Sequence, residues 1–299
     1  LAAGELGALV DDVKPVIQAG GSDTATLDNV FELLCRAGRD APMAKALMIP
    51  ASTGQDSTMP AAHRDMFLYC NAVMEPWDGP AAITATDGRW VIAGLDRNGL
   101  RPLRFTVTDS NLLVVGSEAG MVKFNESEII QKGRVGPGQT IGVDLDEARL
   151  YLDEELKDTL AARQPFGDWA KRITRIDQVV KTDCAEPARY DAPELRRRQL
   201  AVGTTMEDLE MILHPMVEDS AEAIGSMGDD TPVAVLSENY RGLHHYFRQS
   251  FAQVTNPPID SLRETRVMTL RTRLGNLGNV LDEDASQCNL LQLESPVLS

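Results

Sequence analysis

A carboxylate stands where a glycine turn gives way to a helix. In Ala19-Gly20-Gly21-Ser22-Asp23-Thr24-Ala25-Thr26-Leu27-Asp28-Asn29-Val30-Phe31-Glu32-Leu33-Leu34 the glycines permit a sharp turn and close approach to a ligand. Ser22 is a good N-cap, and Leu27, Val30, Phe31 and Leu34 recur at helical spacing. Asp23 falls in the first turn, where the helix dipole favours negative charge and leaves the carboxylate able to accept from an ammonium group. Aspartate is also common there for helix chemistry alone, so the pattern leaves a substrate role and a helix-terminus role both open.

Two other stretches carry polar side chains in a constrained backbone. In Asp96-Arg97-Asn98-Gly99-Leu100-Arg101-Pro102 the Asn-Gly pair supports a positive φ, and Pro102 holds Arg101 extended. The arginines can brace this turn through Asp96. Arg101 could instead grip a carboxylate with two parallel bonds, but an arginine beside its own aspartate is more often scaffold, and Asp96 and Arg101 are read as structural support. Thr255-Asn256-Pro257-Pro258 sets two small hydrogen-bonding side chains before a rigid stop, as a loop between helices or the lining of a polar passage.

Together these segments resemble a known family. The Ser22-Asp23-Thr24 run is similar to the Ser-Asp-Thr/Ser segment of class II glutamine amidotransferases, and its Leu27 to Leu34 continuation is similar to the glutamate synthase large subunits among them. Leu95-Asp96-Arg97-Asn98-Gly99-Leu100-Arg101-Pro102 resembles that family's strand and turn, and Phe251 to Asp260, with Pro257-Pro258-Ile259-Asp260, resembles a run of its central domain. The resemblance covers almost the whole chain, in the family's order.

The resemblance implies an α+β fold: part of a layered Ntn-type α/β/β/α amidotransferase sandwich over 1–165, then a linker and a mainly helical α/β central-domain segment over 166–299. It implies a parent reaction that converts glutamine and 2-oxoglutarate into two glutamates, with ammonia passed internally. Asp23 would bind the α-ammonium of glutamine with Ser22 and Thr24 beside it, and Thr255 and Asn256 would lie near the entrance of the ammonia channel. The family's nucleophile is an amino-terminal cysteine, whereas this sequence starts at Leu1, so no catalytic residue is assigned and an inactive fragment is expected. FMN, an iron–sulfur cluster and NAD(P)H or ferredoxin are implied for the parent and none for this segment. Implied partners are glutamine, the remainder of the polypeptide and a small electron-transfer subunit. Another class II amidotransferase, or a non-catalytic module that binds glutamine or a partner, is the alternative.

Composition agrees with that class. A formal charge of −16, from 45 acidic and 29 basic residues, argues against nucleic acid or an anionic membrane as partner. No apolar run nears the roughly 20 residues of a spanning helix, and Leu1-Ala2-Ala3-Gly4-Glu5 lacks a basic leader, so a cytoplasmic location is expected. Cys35, Cys70, Cys184 and Cys288 are far apart, and His63, His214 and the His244-His245 pair lack metal-ligand spacing, so the thiols read as buried packing and no metal is assigned. No dinucleotide or P-loop motif is present.

The elements that must position these residues follow from periodicity. Helices are expected from Thr24 to Gly38, from Pro42 and from Ala61 to Met74, with Met66, Phe67, Cys70, Val73 and Met74 inward. Turn signals at Asp87-Gly88, Asn98-Gly99 and Asp109-Ser110-Asn111 predict an antiparallel meander over 81–124 within one sheet. Val91-Ile92-Ala93 and Leu112 to Val115 read as covered on both faces. Strand pieces over 128–135 and 139–143 and a hairpin onto Leu150-Tyr151-Leu152 follow. A helical stretch leads to Pro165 and Gly167. Beyond Glu194 helices are expected over 204–213, stopped by His214-Pro215, and over 216–227.

Overall fold

Helix-period sequence opens the chain and period-two sequence follows. The computed structural model describes residues 10–51, 53, 59–77, 79–179, 189–219, 234–238, 240–247, 272–275 and 278–293. Among them, residues 10–179 and 272–293 belong to one compact unit and residues 189–247 to a second.

In the first unit a single turn, α1 (Val10–Val13), precedes α2 (Asp23–Arg36), α3 (Ala41–Met48) and α4 (Ala61–Val73). The Ser22 hydroxyl accepts from the Ala25 amide at 3.2 Å to start α2, and Gly38, at φ 101°, lets the chain turn out of it. Asp40 starts α3 by accepting from the Met43 amide at 3.0 Å, with Pro42 in the first turn. Every residue of α3 is buried, and α4 buries Met66, Phe67, Cys70 and Val73 as its spacing demands, together with His63, Tyr69 and Ala72. Met74 caps α4 and is only partly buried.

The strands divide between two sheets, which corrects the single meander. β1 (Ala82–Thr86) and β2 (Trp90–Leu95) pair with β6 (Thr140–Asp144) and β7 (Arg149–Tyr151) in the order β1-β2-β6-β7. β3 (Arg104–Thr108), β4 (Leu113–Gly116) and β5 (Ile129–Arg134) form a separate antiparallel sheet, β4-β3-β5. The change of sheet happens at the Asp96–Leu103 turn. There Gly99 has φ 60°, and a Cβ would fall 2.7 Å from Pro137, so the Asn-Gly signal marks a bend out of the sheet and not a hairpin within it. Coverage is also one-sided: Val91 is 40% exposed beside Ile92 at 1%, and Leu112 is exposed. A short apolar run reads alike whether one face or both are covered. The expected hairpin onto Leu150 forms as β6 and β7, with Gly142 opposite Tyr151.

α5 (Asp153–Ala161) and α6 (Phe166–Ala170) follow, and Phe166 packs in the core with its ring 5.0 Å from that of Tyr69. β8 (Thr174–Arg175) leads into the turn α7 (Ile176–Val179). β8 lies parallel to β10 (Leu291–Leu293), which pairs antiparallel with β9 (Thr272–Leu274). The carboxyl-terminal part of the chain thereby joins the first unit: Cys288 and Leu290 enter the core around α4, and Leu281 packs with Leu27 and Leu34 of α2.

In the second unit, α8 (Ala192–Ala201) starts at Asp191, whose carboxylate accepts from the Glu194 amide at 2.9 Å. Thr205 and Asp208 then hold each other, each side chain accepting from the other's amide. The helix does not stop at His214-Pro215. It winds as a π-turn over Asp208–Leu213, with the His214 amide reaching the Leu209 carbonyl, and continues as α9 (His214–Asp219). The widened turn takes up the proline, which lacks a donor and would otherwise crowd the preceding carbonyl. The helix expected to continue to residue 227 lies outside the described residues from 220 onward.

Candidate functional site

Asp23 is the first residue of a fourteen-residue helix and its side chain is exposed. Neighbouring polar groups are committed to one another. Ser22 Oγ lies 3.0 Å from Thr24 Oγ1 as well as accepting from Ala25, and the Gln18 amide reaches Asn29 Oδ1 at 3.4 Å, tying the incoming loop to the helix. Gly20, at φ 77°, makes the turn between. Among the described residues, the Asp23 side chain has no hydrogen-bond or ion-pair partner, so its carboxylate is the free acceptor of the cluster. Leu27 and Leu34 anchor the buried side of α2.

The two structural-support residues part company. Asp96 is buried and accepts from the Ala81 amide at 3.1 Å and the Asn98 amide at 2.8 Å. Arg101 is exposed and makes no ion pair with it, so of the two arginines expected to brace the turn Arg101 does not do so through Asp96, which holds backbone amides. Thr255 and Asn256, and with them the proline run, lie outside the described residues.

Several polar groups that hold elements together escaped sequence reasoning. Asp87 reaches from the β1–β2 turn to accept from the Ala41 amide at 2.7 Å, and takes the Arg89 and Trp90 amides as well. Burial opposes its charge, but those amides together hold the carboxyl below its usual range. Arg89 forks onto Asp144 and, with the Asp146 and Glu147 amides, outweighs burial to keep that carboxyl low too. His63 reaches Asp158 at 2.7 Å, joining α4 to α5.

Lys45 is 4% exposed, and its Nζ donates to the Ile49 carbonyl at 3.2 Å. Burial pushes its pKa down to about 8, Lys157 adds to the effect, and Asp153 and Asp96 oppose it. Gly94 fits beside it because a Cβ there would lie 2.9 Å from Thr140 Oγ1 and 3.1 Å from Lys45 Cε. A lysine in an apolar helical run gives no sequence signal of where its ammonium ends.

Burial raises the thiol of Cys70 to about 12 and those of Cys35 and Cys288 to about 11, so these thiols are poor nucleophiles that act as packing groups. Among the described residues no group of three or more His, Cys, Asp or Glu is placed to hold a metal, and no helix is long and apolar enough to cross a membrane.

With this geometry in place, comparison with known proteins is decisive. The family described as class-II glutamine amidotransferases matches residues 1–169. This chain belongs to that family. The glutamate synthase central domain matches residues 197–299, and the helices and antiparallel sheets described above are those of an α+β protein. The chain is 60% identical over 295 residues to the glutamate synthase [NADPH] large chain of Azospirillum brasilense, across 98% of this chain and 20% of that protein. It is 42% identical to ferredoxin-dependent glutamate synthase 2 of Synechocystis, across 97% and 19%. It is 41% identical to the glutamate synthase [NADH] of Saccharomyces cerevisiae, across 97% and 14%. This amidotransferase chain thus spans about a fifth or less of the length of these curated relatives. Its amidotransferase match includes the Asp23 helix and both sheets, while residues 272–293, inside the central-domain match, pack in the same compact unit.

Proposed function

We propose that this chain is part of a glutamate synthase, a cytosolic enzyme that converts glutamine and 2-oxoglutarate into two glutamates. The observation that carries the substrate half of this reading is the unpartnered Asp23 carboxylate at the capped start of α2, within the amidotransferase match. Its role is to accept from the α-ammonium of glutamine, a charge-assisted pair that fixes one end of the substrate. Ser22 and Thr24 keep the first turn in place. Asp96, by holding two amides, fixes the bend between the sheets.

In this reading the amidotransferase part is a layered Ntn-type sandwich over about 1–165, and 166–299 begins the central domain, with Thr255 and Asn256 lining the entry to an ammonia passage. A cysteine nucleophile elsewhere in the parent attacks the side-chain amide. The implied FMN and iron–sulfur cluster supply the electron transfer that completes the amination, with NAD(P)H or ferredoxin as donor and a small electron-transfer subunit as partner. The chain's own contribution in this reading is to bind and orient glutamine and to conduct ammonia.

The test is transfer of label. The full-length enzyme, given glutamine labelled with nitrogen-15 in its amide, 2-oxoglutarate and a reductant, is expected to place the label in the α-amino group of newly formed glutamate. Release of the label only as free ammonia, or its transfer to a sugar or phosphoribosyl acceptor, would overturn the reading.

A further inference from the structure

We propose that residues 279–288 clamp the Asp23 helix in its glutamine-binding position, through a buried hydrogen-bonded chain that runs from Arg39 through Tyr69 to Gln287. This rests on the reading of Asp23 given above and assigns positioning residues to it.

Arg39 stands immediately beyond α2. Its amide donates to the Leu34 carbonyl at 3.0 Å, inside the last turn, so its backbone is fixed to the helix. Its guanidinium side chain is only 3% exposed and lies 3.0 Å from Glu283. It also donates to the Tyr69 hydroxyl at 3.4 Å and to the Asp282 carbonyl. Tyr69 donates in turn to Gln287 Oε1 at 2.6 Å, and Gln287 Nε2 donates to the Asn279 carbonyl at 2.6 Å. Gln287 is 1% exposed. Beside this chain Leu281 packs on Leu27 and Leu34 of α2 itself.

A buried cation is a costly way to hold two segments together, since apolar packing of the same volume does it as well. What the cation adds is direction: a planar guanidinium with fixed donors accepts one seating of the 279–288 segment and refuses its neighbours. Arg39 Nε and Nη1 are both buried without a hydrogen-bond partner, and Nη1 faces Glu283 at 3.0 Å as an ion pair only, so the direction comes from the bonds to Tyr69 and the Asp282 carbonyl. The helix between Arg39 and Asp23 is about 20 Å of rigid rod, so a shift at its carboxyl end reaches the carboxylate at its start. Arg39 and Tyr69 lie in the amidotransferase match and Gln287 in the central-domain match, so the clamp sets the glutamine site by the placement of the central-domain part.

The experiment uses the full-length holoenzyme carrying Tyr69→Phe, Gln287→Met, Asp23→Asn, or Asp23→Asn with Tyr69→Phe. Each is measured for glutamine hydrolysis and for glutamate formation from added ammonia. Tyr69→Phe and Gln287→Met are each expected to raise KM for glutamine about 5- to 20-fold, while kcat and the ammonia-dependent rate stay within about twofold. In the double variant the rise is expected to fall well short of the product of the single effects, because both act on one contact. If Asp23→Asn raises KM but the clamp variants leave it unchanged, or if the effects multiply, the clamp is wrong and Asp23 stands. If Asp23→Asn leaves KM unchanged, the reading of Asp23 fails and takes the clamp with it. A parallel fall of both activities in the clamp variants would reduce the network to fold support and overturn its positioning role.

Discussion

The Ser22 hydroxyl accepts from the Ala25 amide at 3.2 Å, so the side chain next to Asp23 is committed to the helix while the Asp23 carboxylate remains available. Removing that cap frees an amide in the first turn. Ser22→Ala is expected to lower stability by about 1 kcal/mol and Ser22→Gly by only a few tenths. Urea unfolding midpoints at constant slope measure both, and equal midpoints for the two variants would rule the cap out as the cause.

Lys45 should make stability depend on pH in the alkaline range. Its folded pKa, about 8, lies below the ordinary 10.5, so the unfolded chain binds more protons between those values and stability rises with pH across that window. Below about pH 8 the whole cost of burying the ammonium is present. Lys45→Met is expected to gain about 2 kcal/mol at pH 7, the lost bond to Ile49 offsetting part of the relief, and the gain should shrink from pH 8 to 10. Urea titrations of both proteins across that range would reveal it, and a gain independent of pH would refute it.

The turn between the sheets separates Asp96 from Arg101. Asp96→Ala strands two amides and is expected to cost about 2–3 kcal/mol, whereas Arg101→Ala should stay within about 0.5 kcal/mol. Comparable losses in thermal unfolding would mean that the arginine braces the turn after all.

If Thr255 and Asn256 line the ammonia passage, as proposed, their side chains bear on ammonia transfer and not on hydrolysis. Alanine at either in the full-length enzyme is expected to leave glutamine hydrolysis within about twofold while more ammonia escapes per glutamate formed. An unchanged ratio of glutamine consumed to glutamate made would remove them from the passage.

Much of this was legible in the chain. Ser22, Gly38 and Pro42 mark helix ends by local chemistry, and the inward stripe Met66, Phe67, Cys70 and Val73 follows from period alone. Local signals could not say which strands share a sheet, since Asn98-Gly99 looks the same at a hairpin and at the bend where the chain changes sheets. They also could not find Arg39 and Gln287, because Tyr69 and Gln287 meet across 218 positions of sequence. At the site, the family resemblance singled out Asp23 as the substrate ligand, and the fold adds that its carboxylate is left free. The Pro215 stop failed for a local reason, a π-turn that takes up the ring.

The central claim is that Asp23 holds the α-ammonium of glutamine, and the most direct measurement is a paired assay of Asp23→Asn in the full-length enzyme. Loss of the charge-assisted pair should weaken glutamine use by roughly 10- to 100-fold, read as KM or kcat/KM, while glutamate formation from added ammonia stays near wild type. Equal loss of both activities, or glutamine kinetics left unchanged, would contradict the account.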